Sequence, residues 1–206
     1  MRAFDLYAER FYRQDPLSEE EMREFFRVAS PAVYANARRH ENAVRQRVQE
    51  ALLEYAKVAQ VTTALDYGCG NGDDALALSH LGIKTTLADL EGPTFNFAQW
   101  RMMRLGRGIP QAISLEQGLQ AIAGKKWELT VCLDVLPYVF DIHAALDALC
   151  QSADRLFISA RTLLGFESLG VLENQWIVCD GHLEIALLNR GFEPVVGYGP
   201  YAWRRS

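Results

Sequence analysis

The stretch ALDYGCGNGDD, residues 64–74, joins two different sequence patterns and is the most informative part of the chain. It begins in a short β-rich run at 61–66 and ends in a helical pattern at 73–81. A glycine-rich turn lets the backbone approach a ligand closely, because glycine has no side chain and reaches positive φ angles. In parallel sheets, ligands bind at the carboxyl ends of the strands, beside such a turn. The stretch therefore predicts a ligand-binding turn in an α/β fold.

The spacing and the charge of this turn distinguish two classes of ligand. The dinucleotide fingerprint is GxGxxG, with the pyrophosphate on the helix N-terminus. This turn has GxGxG, with Asp73 where the third fingerprint glycine would stand and with Asp66 and Asp74 close by. Carboxylates repel a pyrophosphate but attract the sulfonium and ammonium groups of S-adenosylmethionine. The turn therefore favours S-adenosylmethionine as the cofactor over NAD.

Asp89 ends the second β-rich run, about 20 residues after Gly68. An acidic side chain at this place can accept hydrogen bonds from both hydroxyls of an adenosine ribose. The feature suits NAD equally well, and a cap on the following helix is the other interpretation of Asp89. On its own it indicates only an adenosine ribose.

Strands alternate with helices through residues 61–160. The β-rich runs are 61–66, 84–89, 111–115, 128–134 and 154–160, and the helical patterns between them are 73–81, 94–105, 116–123 and 141–150. A helix at 182–190 and two last strands, in 192–199 and 201–206, follow. This order predicts an α/β, doubly wound, Rossmann-like sheet of seven strands, mainly parallel, with helices on both faces.

Residues 1–59 have helical patterns and are expected to form an N-terminal helical extension. Ser18 and Glu21 form a capping box. The last pattern is a long amphipathic helix up to about Ala59, with apolar positions at Val44, Val48, Leu52 and Tyr55. The length predicts one domain over 1–206, in which 1–59 are a helical cap and 60–206 the core, with an insertion at 161–180.

Composition and charge narrow the class of protein. The net charge is −5, which makes a nucleic-acid partner unlikely because phosphate backbones bind clustered cations. No apolar run approaches the roughly 20 residues of a membrane span, and the N-terminus lacks the apolar segment of a signal peptide. The four cysteines show no CxxC spacing, so we expect reduced thiols in a cytoplasmic protein. Two basic clusters are expected to be solvated faces, with an anionic substrate or partner as the other interpretation: Arg38, Arg39, Arg45 and Arg47, and Arg101, Arg104 and Arg107.

Three segments together resemble the class I S-adenosylmethionine-dependent methyltransferases: DYGCGNG, LADLEG and LTVCLDVLPYVFD. The resemblance covers residues 61–160, and GFEPVVGYG is similar to the sixth strand of that family. It implies that Asp66, Gly68, Cys69 and Gly70 cradle the methionine half of the cofactor. It also implies that Asp89 binds the ribose, Leu90 packs on the adenine and Glu116 contacts the adenine amino group. Asp134 would also contact the cofactor, where the methyl group faces the substrate, with Tyr138 beyond it.

Methyl transfer needs little catalytic machinery from the protein, because the cofactor carries the reactive group and the protein aligns it. A general base is required only when the nucleophile must lose a proton. Asp134 and Tyr138 are the expected catalytic residues, although Asp134 could instead cap a turn and Tyr138 could instead pack in the core. His143 and His182 are expected on the surface, and Cys69 and Cys132 as small buried side chains. The sequence indicates no metal site.

The substrate pocket is expected under the N-terminal helices and the insertion at 161–180, both rich in large apolar side chains, with Tyr12 or Tyr34 closing over the cofactor. A pocket lined by such side chains would suit a small, partly apolar or aromatic acceptor. The other interpretation is that these side chains simply pack on the sheet. Three alternatives stay open: a non-catalytic S-adenosylmethionine-binding protein, a NAD-dependent oxidoreductase, and a protein or RNA methyltransferase.

Overall fold

The computed structural model describes residues 18–28, 42–105, 110–159 and 180–206. Their strands form one seven-stranded sheet. The strands are β1 Thr63–Tyr67, β2 Lys84–Asp89, β3 Gln111–Ser114, β4 Leu129–Cys132, β5 Arg155–Ile158, β6 Phe192–Pro194 and β7 Ala202–Arg205. Each predicted β-rich run and each predicted C-terminal strand overlaps one of them, so the α/β fold class is confirmed.

The strands lie in the order β3-β2-β1-β4-β5-β7-β6. β1 to β5 are parallel to one another, and β7 is antiparallel to both β5 and β6. The chain moves outward from β1 to β3 on one side and from β4 to β5 on the other. The order therefore reverses between β1 and β4, where doubly wound proteins bind ligands beyond the carboxyl ends of the strands.

Six α-helices lie in the described ranges: α1 Glu19–Val28, α2 Ala43–Val58, α3 Asp73–His80, α4 Pro93–Leu105, α5 Ile142–Ser152 and α6 Asp180–Leu188. Two 3-10 segments, Leu115–Ala121 and Leu136–Tyr138, follow β3 and β4. The predicted helices at 73–81, 94–105, 141–150 and 182–190 are confirmed. The predicted helix near 116–123 is a 3-10 segment, and it contains Gly118 with φ 64° and ψ −146°, which interrupts the helical conformation.

The helices cover both faces of the sheet, as the pattern predicted. Alternate strand residues point to opposite faces, so Leu65 packs with α5 and α6, while its neighbour Ala64 packs with α2 and α3. A further cluster joins α3 and α4 to Leu87 of β2. The helices on the two faces hold the sheet between them, which keeps its carboxyl edge in place.

Helix α1 begins at the capping box that the sequence predicted, but α2 buries a different face at its start. Ser18 and Glu21 exchange the capping-box hydrogen bonds, at 2.9 Å and 3.2 Å between donor and acceptor. In α2, Val44 is 52% exposed and Arg45 is buried. The prediction that Val44 belongs to the buried face is wrong, because Arg45 lies on the same face as Val48 and finds an ion-pair partner there.

Several expectations concern residues outside the described ranges: the start of the helical cap before residue 18, Tyr12, Tyr34, the insertion at 161–179, Arg38, Arg39 and Arg107. No described helix is both long enough and apolar enough to cross a membrane.

Candidate functional site

The glycine turn after β1 adopts the backbone conformation that its sequence predicts. Gly68, Gly70 and Gly72 all have positive φ angles, of 70°, 52° and 73°. The backbone N–H groups of Gly68 and Cys69 both donate to the Ala88 carbonyl, at 2.8 Å and 3.2 Å. The turn is therefore tied to the end of β2, and it lies at the reversal of strand order.

Gly68 is also where the turn meets the segment after β4. A side chain at Gly68 would place its Cβ 2.3 Å from Cγ2 of Val135, closer than carbon atoms can approach. The segments that follow β1 and β4 are therefore in direct contact, and only glycine fits between them without a shift.

The Asp89 carboxylate bridges the glycine turn to the end of β2. One oxygen accepts from the Gly70 N–H at 2.7 Å and the other from the Leu90 N–H at 2.8 Å. Burial raises the pKa of Asp89 to about 6, although these two hydrogen bonds act to lower it. Ribose binding by Asp89 stays a prediction, as does adenine packing by Leu90, which is half-buried against the main core.

Asp66 lies under the turn with its carboxylate buried. Its Oδ2 accepts from the backbone N–H of Ala75 at 3.1 Å, in the first turn of α3. Burial raises the pKa of Asp66 well above its usual range, and the charge of Asp74 raises it further. This carboxylate satisfies a helix N-terminal amide that could otherwise bind a phosphate.

Two arginines bind the two aspartates that begin α3. Arg45 of α2 donates through Nη2 to Oδ2 of Asp74, whose Oδ1 accepts from Gln49 at 3.0 Å. Arg101 of α4 donates to Oδ1 of Asp73 and to the Asn71 carbonyl oxygen. The expectation that Arg45 and Arg101 belong to solvated faces is wrong, because their side chains are only 11% and 14% exposed and are held by these aspartates.

Asp134 begins the segment after β4 with an unusual backbone conformation. Its φ is 61°, a left-handed value that is uncommon for a residue other than glycine. Its backbone N–H donates to the Ser159 hydroxyl at 3.1 Å, and its Oδ2 lies 3.9 Å from Nε of Arg45. Strained backbone of this kind occurs often at functional sites. The expected roles of Asp134 in catalysis and cofactor binding stay predictions.

Helix α1 lies over the carboxyl edge of the sheet. The ring of Phe26 meets the ring of Tyr138 edge to face, with 5.3 Å between centroids. A Cβ on Gly92, after β2, would lie 2.7 Å from the Arg27 carbonyl oxygen. The helix thus contacts the segments after β2 and β4, and Tyr138 packs under it. A catalytic role for Tyr138 stays a prediction.

Glu116, after β3, is the third contact of α1. Its Oε2 accepts from Nη2 of Arg27 at 2.7 Å, and its Oε1 accepts from the Glu91 N–H at 3.2 Å. The hydrogen bond from Arg27 lowers the pKa of Glu116. Both carboxylate oxygens are thus engaged in this structure, and adenine binding by Glu116 stays a prediction.

The two histidines and two cysteines that the sequence analysis considered have the exposure that it predicted. His143 and His182 are exposed, and Cys69 and Cys132 are buried. Burial raises the pKa of both thiols, and the negative charges of nearby aspartates add to this effect, so neither is a ready thiolate. Within the described ranges, no group of three or more His, Cys, Asp or Glu side chains is arranged to hold a metal ion.

No protein-family model matches the sequence, and no curated protein matches it. Solved structures do match. Magnesium protoporphyrin IX methyltransferase from Synechocystis PCC 6803, with bound S-adenosylmethionine, aligns over 92% of this chain and 98% of its own, at 20% identity and a TM-score of 0.62. The N-terminal domain of EvdMO1, with bound S-adenosylhomocysteine, aligns over 76% of this chain and 77% of its own, at 18% identity and a TM-score of 0.55. The chain has the fold of S-adenosylmethionine-dependent methyltransferases.

This methyltransferase fold brings together residues that the sequence analysis left apart. Arg45 lies on the helix before β1, 21 positions before Asp66. The sequence pattern predicts a solvated face for both Arg45 and Arg101. A signal for Arg45 existed: it precedes Val48 by three positions and Leu52 by seven, which places it on the buried stripe of α2. Nothing in the sequence identified its partner, because Asp74 lies on another helix.

Proposed function

We propose that this chain is an S-adenosylmethionine-dependent methyltransferase that acts on a small molecule. The observation that carries the proposal is the acidic glycine turn at the reversal of strand order. Its backbone turns through three glycines with positive φ, and Asp89 accepts a hydrogen bond from the Gly70 N–H. The methyltransferases of the same fold support it, since two of their structures hold S-adenosylmethionine or S-adenosylhomocysteine.

The residues around the turn suit a cationic ligand. Asp66, Asp89 and Asp134 lie at the ends of three neighbouring strands, and the pKa of the buried Cys132 thiol rises partly because of the charges of Asp66 and Asp134. Carboxylates in a poorly hydrated site favour a sulfonium or an ammonium group. A pyrophosphate would meet these charges, and the Ala75 amide on the helix N-terminus already donates to Asp66. This arrangement argues against NAD.

S-Adenosylmethionine supplies the chemistry, an electrophilic methyl group on a sulfonium. In this proposal Asp66, Gly68, Cys69 and Gly70 cradle its methionine half. Asp89, Leu90 and Glu116 hold the adenosine. The protein then contributes mainly by alignment, which can be worth several kcal/mol in methyl transfer.

Asp134 is the proposed base, and it would accept the proton of an acceptor whose nucleophile must lose one. Asp134 has a left-handed backbone after β4, and Tyr138 in the segment that follows packs against Phe26 of α1. Tyr138 would line the acceptor side. This pair of aromatic rings supports a small, partly apolar or aromatic acceptor.

Protein and RNA acceptors are less well supported. The net charge is −5, and the arginines Arg45 and Arg101 are engaged inside the molecule rather than on a basic surface. The proposal treats 1–206 as one domain in which 1–59 cap the core, and it places the protein in the cytoplasm. The free thiols Cys69, Cys132 and Cys150 are compatible with a reducing compartment.

The test is a thermal-shift and calorimetric titration with S-adenosylmethionine, S-adenosylhomocysteine and NAD. A ligand at a hundred times its Kd stabilises the folded state by about 2.7 kcal/mol, which is readily measured. We expect the two methionine-derived ligands to bind and NAD not to bind. The Gly70→Arg and Asp89→Ala variants should weaken that binding, whereas normal affinity in both would contradict the assignment of the turn.

Turnover distinguishes an enzyme from a protein that only binds the cofactor. Incubation with S-adenosylmethionine and a pool of small metabolites should produce S-adenosylhomocysteine, and Asp134→Asn should slow its production. A protein that binds both ligands but produces none with small-molecule, peptide and RNA pools would support the binding-only alternative instead.

A further inference from the structure

Helix α4 presents large apolar side chains to solvent as well as to the core. Phe95, Ala98 and Met102 are its buried residues. At 3.6 residues per turn, Trp100 lies about 170° around the helix from the mean direction of these three. Trp100 is 50% exposed, and Met103 is 59% exposed. The side of α4 that faces away from the core is therefore apolar, where a surface helix is normally polar.

Exposed apolar surface is concentrated on this helix. The rings of Phe97 and Trp100 stack, with 5.7 Å between centroids and 20° between planes. Leu105, at the end of the helix, is 56% exposed. Trp100, Met103 and Leu105 are three of the eight large apolar side chains that are exposed in the described ranges, and they lie within six positions of sequence. We call Phe97, Trp100, Met103 and Arg104 the outer face of α4. A contiguous apolar patch of this kind marks an interaction site more often than scattered single residues do.

The outer face lies at one end of the sheet. Helix α4 connects β2 to β3, and β3 is the edge strand on that side. The buried residues of α4 pack with α3 and with Leu87 of β2. The side chain of His80, at the end of α3, lies 3.0 Å from the Leu105 carbonyl oxygen and holds the two helix ends together. The helix is thus fixed from the inside, and its outer face stays accessible.

The charge around the outer face is positive. Residues 93–115 contain three arginines, Arg101, Arg104 and Arg107, and no Asp or Glu, although the chain as a whole has a net charge of −5. Arg101 donates to the start of α3, whereas Arg104 is exposed. Lys84 is also exposed, and it begins β2 at the amino edge of the sheet, where α4 ends. The outer face therefore combines apolar side chains with cations and complements an apolar, anionic partner.

Two other partners fit these observations less well. A second copy of the chain would meet this face across a two-fold axis, which brings each Arg104 toward the same cation on the other copy. A nucleic acid binds through many clustered cations, and the exposed Met103 and Leu105 have no ring on which a base could stack. An anionic lipid surface suits both features, because aromatic and aliphatic side chains enter the boundary of headgroups and acyl chains while arginines contact the lipid phosphates.

We propose that the outer face of α4 docks the protein on an anionic lipid surface. The contact is peripheral: the helix lies on the surface with its buried residues still packed on the core. The negative potential of a cytoplasmic leaflet favours such a contact. Helix α4 begins at Pro93, four residues after Asp89, so the candidate site lies beyond one end of the docking helix. A partly apolar acceptor would be concentrated at the same surface.

Vesicle co-sedimentation of the whole chain tests the proposal. The two probes are vesicles of phosphatidylcholine alone and vesicles of phosphatidylcholine mixed with phosphatidylglycerol. We expect binding to the mixed vesicles that weakens as salt is added, because salt screens the charges. Trp100→Gln combined with Met103→Gln should weaken binding at least about tenfold, through the lost apolar contact. Arg104→Gln should weaken it about fivefold, the effect of one cation at an anionic surface.

Ile185→Gln combined with Leu188→Gln is the matched control. These two side chains are 58% and 49% exposed on α6, so the variant makes the same change in polarity on a different helix. It should bind mixed vesicles as the native protein does. All variants change exposed side chains, and thermal melts with cofactor titrations should show that fold and cofactor affinity are retained. An equal loss of vesicle binding in the α4 and α6 double variants would overturn the proposal.

Tryptophan fluorescence locates the contact directly. Trp127 and Trp203 are 9% and 2% exposed, whereas Trp100 is half exposed. Mixed vesicles should shift the emission of the native protein to shorter wavelength. Trp100→Phe keeps an aromatic ring, so it should still bind the vesicles but lose most of the shift. A full shift in this variant would place the contact elsewhere and contradict the proposal.

The remaining outcomes also decide between partners. Equal binding to both kinds of vesicle, or no binding to either, would overturn the proposal. Analytical ultracentrifugation identifies a second copy as the partner if the native protein is a dimer that the Trp100→Gln and Met103→Gln variant loses. Binding of a single-stranded RNA in place of vesicles would identify a nucleic acid. None of these results depends on S-adenosylmethionine, so failure of this proposal leaves the proposed function intact.

Discussion

The two sides of the candidate site are built differently. The floor consists of the glycine turn at 66–74 with Asp89 and Asp134. The roof is helix α1, which contacts Gly92, Glu116 and Tyr138. The floor is held by backbone hydrogen bonds and buried charges, and the side chains of Asp74 and Asp134 are 7% and 2% exposed. The roof is held partly by the Arg27–Glu116 ion pair, whose side chains are 42% and 31% exposed.

The ion pairs on the two sides of the site differ in what their loss should cost in stability. Breaking a buried ion pair costs about 3–5 kcal/mol, because one charge stays buried without its partner. An exposed pair contributes about 0–1 kcal/mol. The floor therefore suits recognition of an invariant cofactor. The Arg27–Glu116 pair of the roof can therefore be changed at small cost to stability.

The largest effect is expected on the floor, from Gly68→Ala. A left-handed φ costs a residue with a Cβ about 1–2 kcal/mol. Displacement of Val135, 2.3 Å from the new Cβ, adds about 1–3 kcal/mol. We expect the free energy of unfolding to fall by about 2–5 kcal/mol in urea titrations.

Gly82→Ala is the control for this prediction. Gly82 has φ of 83°, and no heavy atom lies within 4 Å of the place that an alanine Cβ would take, so the variant measures the backbone cost alone. Val135→Ala added to Gly68→Ala should recover part of the loss. Equal destabilisation by Gly68→Ala and Gly82→Ala would mean that the contact with Val135 contributes nothing to the loss of stability.

A smaller effect is expected from protonation of Asp89. Burial raises its pKa to about 6, so the carboxylate is ionised above that pH and protonated below it. Protonation removes an acceptor and a negative charge, and binding of S-adenosylhomocysteine should therefore weaken as the pH falls through 6. For one titrating group the affinity should drop about twofold at pH 6 and about tenfold at pH 5, compared with pH 8.

Asp89→Asn tests the assignment of this pH dependence. The variant should bind more weakly at pH 8 and show a flat profile between pH 8 and pH 5. A profile as steep as that of the native protein would assign the titration to another carboxylate, of which Asp66 is the first candidate because burial raises its pKa too.

The smallest effect is expected on the roof, from Arg27→Ala. The ion pair with Glu116 is partly exposed, so its loss should cost less than about 1 kcal/mol of stability and little cofactor affinity. A double-mutant cycle with Glu116→Gln, measured by urea unfolding, isolates the pair. A coupling energy above about 2 kcal/mol would show that the roof is held as firmly as the floor.

The glycine turn was predictable because its conformation depends on residues adjacent in sequence. Gly68 and Gly70 require positive φ, and the β-rich and helical patterns on either side locate the turn. Local patterns also predicted where the strands end, and therefore that Asp66, Asp89 and Asp134 lie at strand ends. The capping box of Ser18 and Glu21 is also local, and it formed as expected.

The positions of Arg45, Arg101 and Glu116 depend on contacts across the fold. Arg45 meets Asp74 from another helix, and Glu116 meets Arg27 across 89 positions of sequence. A charged residue is assigned to solvent by default, because burial without a partner is costly. Only packing of α2 on the sheet could supply that partner.

Local propensity and the hydrophobic period thus predicted the order of strands and helices, the strand-to-helix turn and the acidic strand ends. Each of these features depends only on residues that are close together in the sequence. The tertiary structure alone placed the arginines inside, closed α1 over the carboxyl edge and brought Val135 against Gly68. These are contacts between distant segments, and their energies depend on burial and distance in space, which no local pattern encodes.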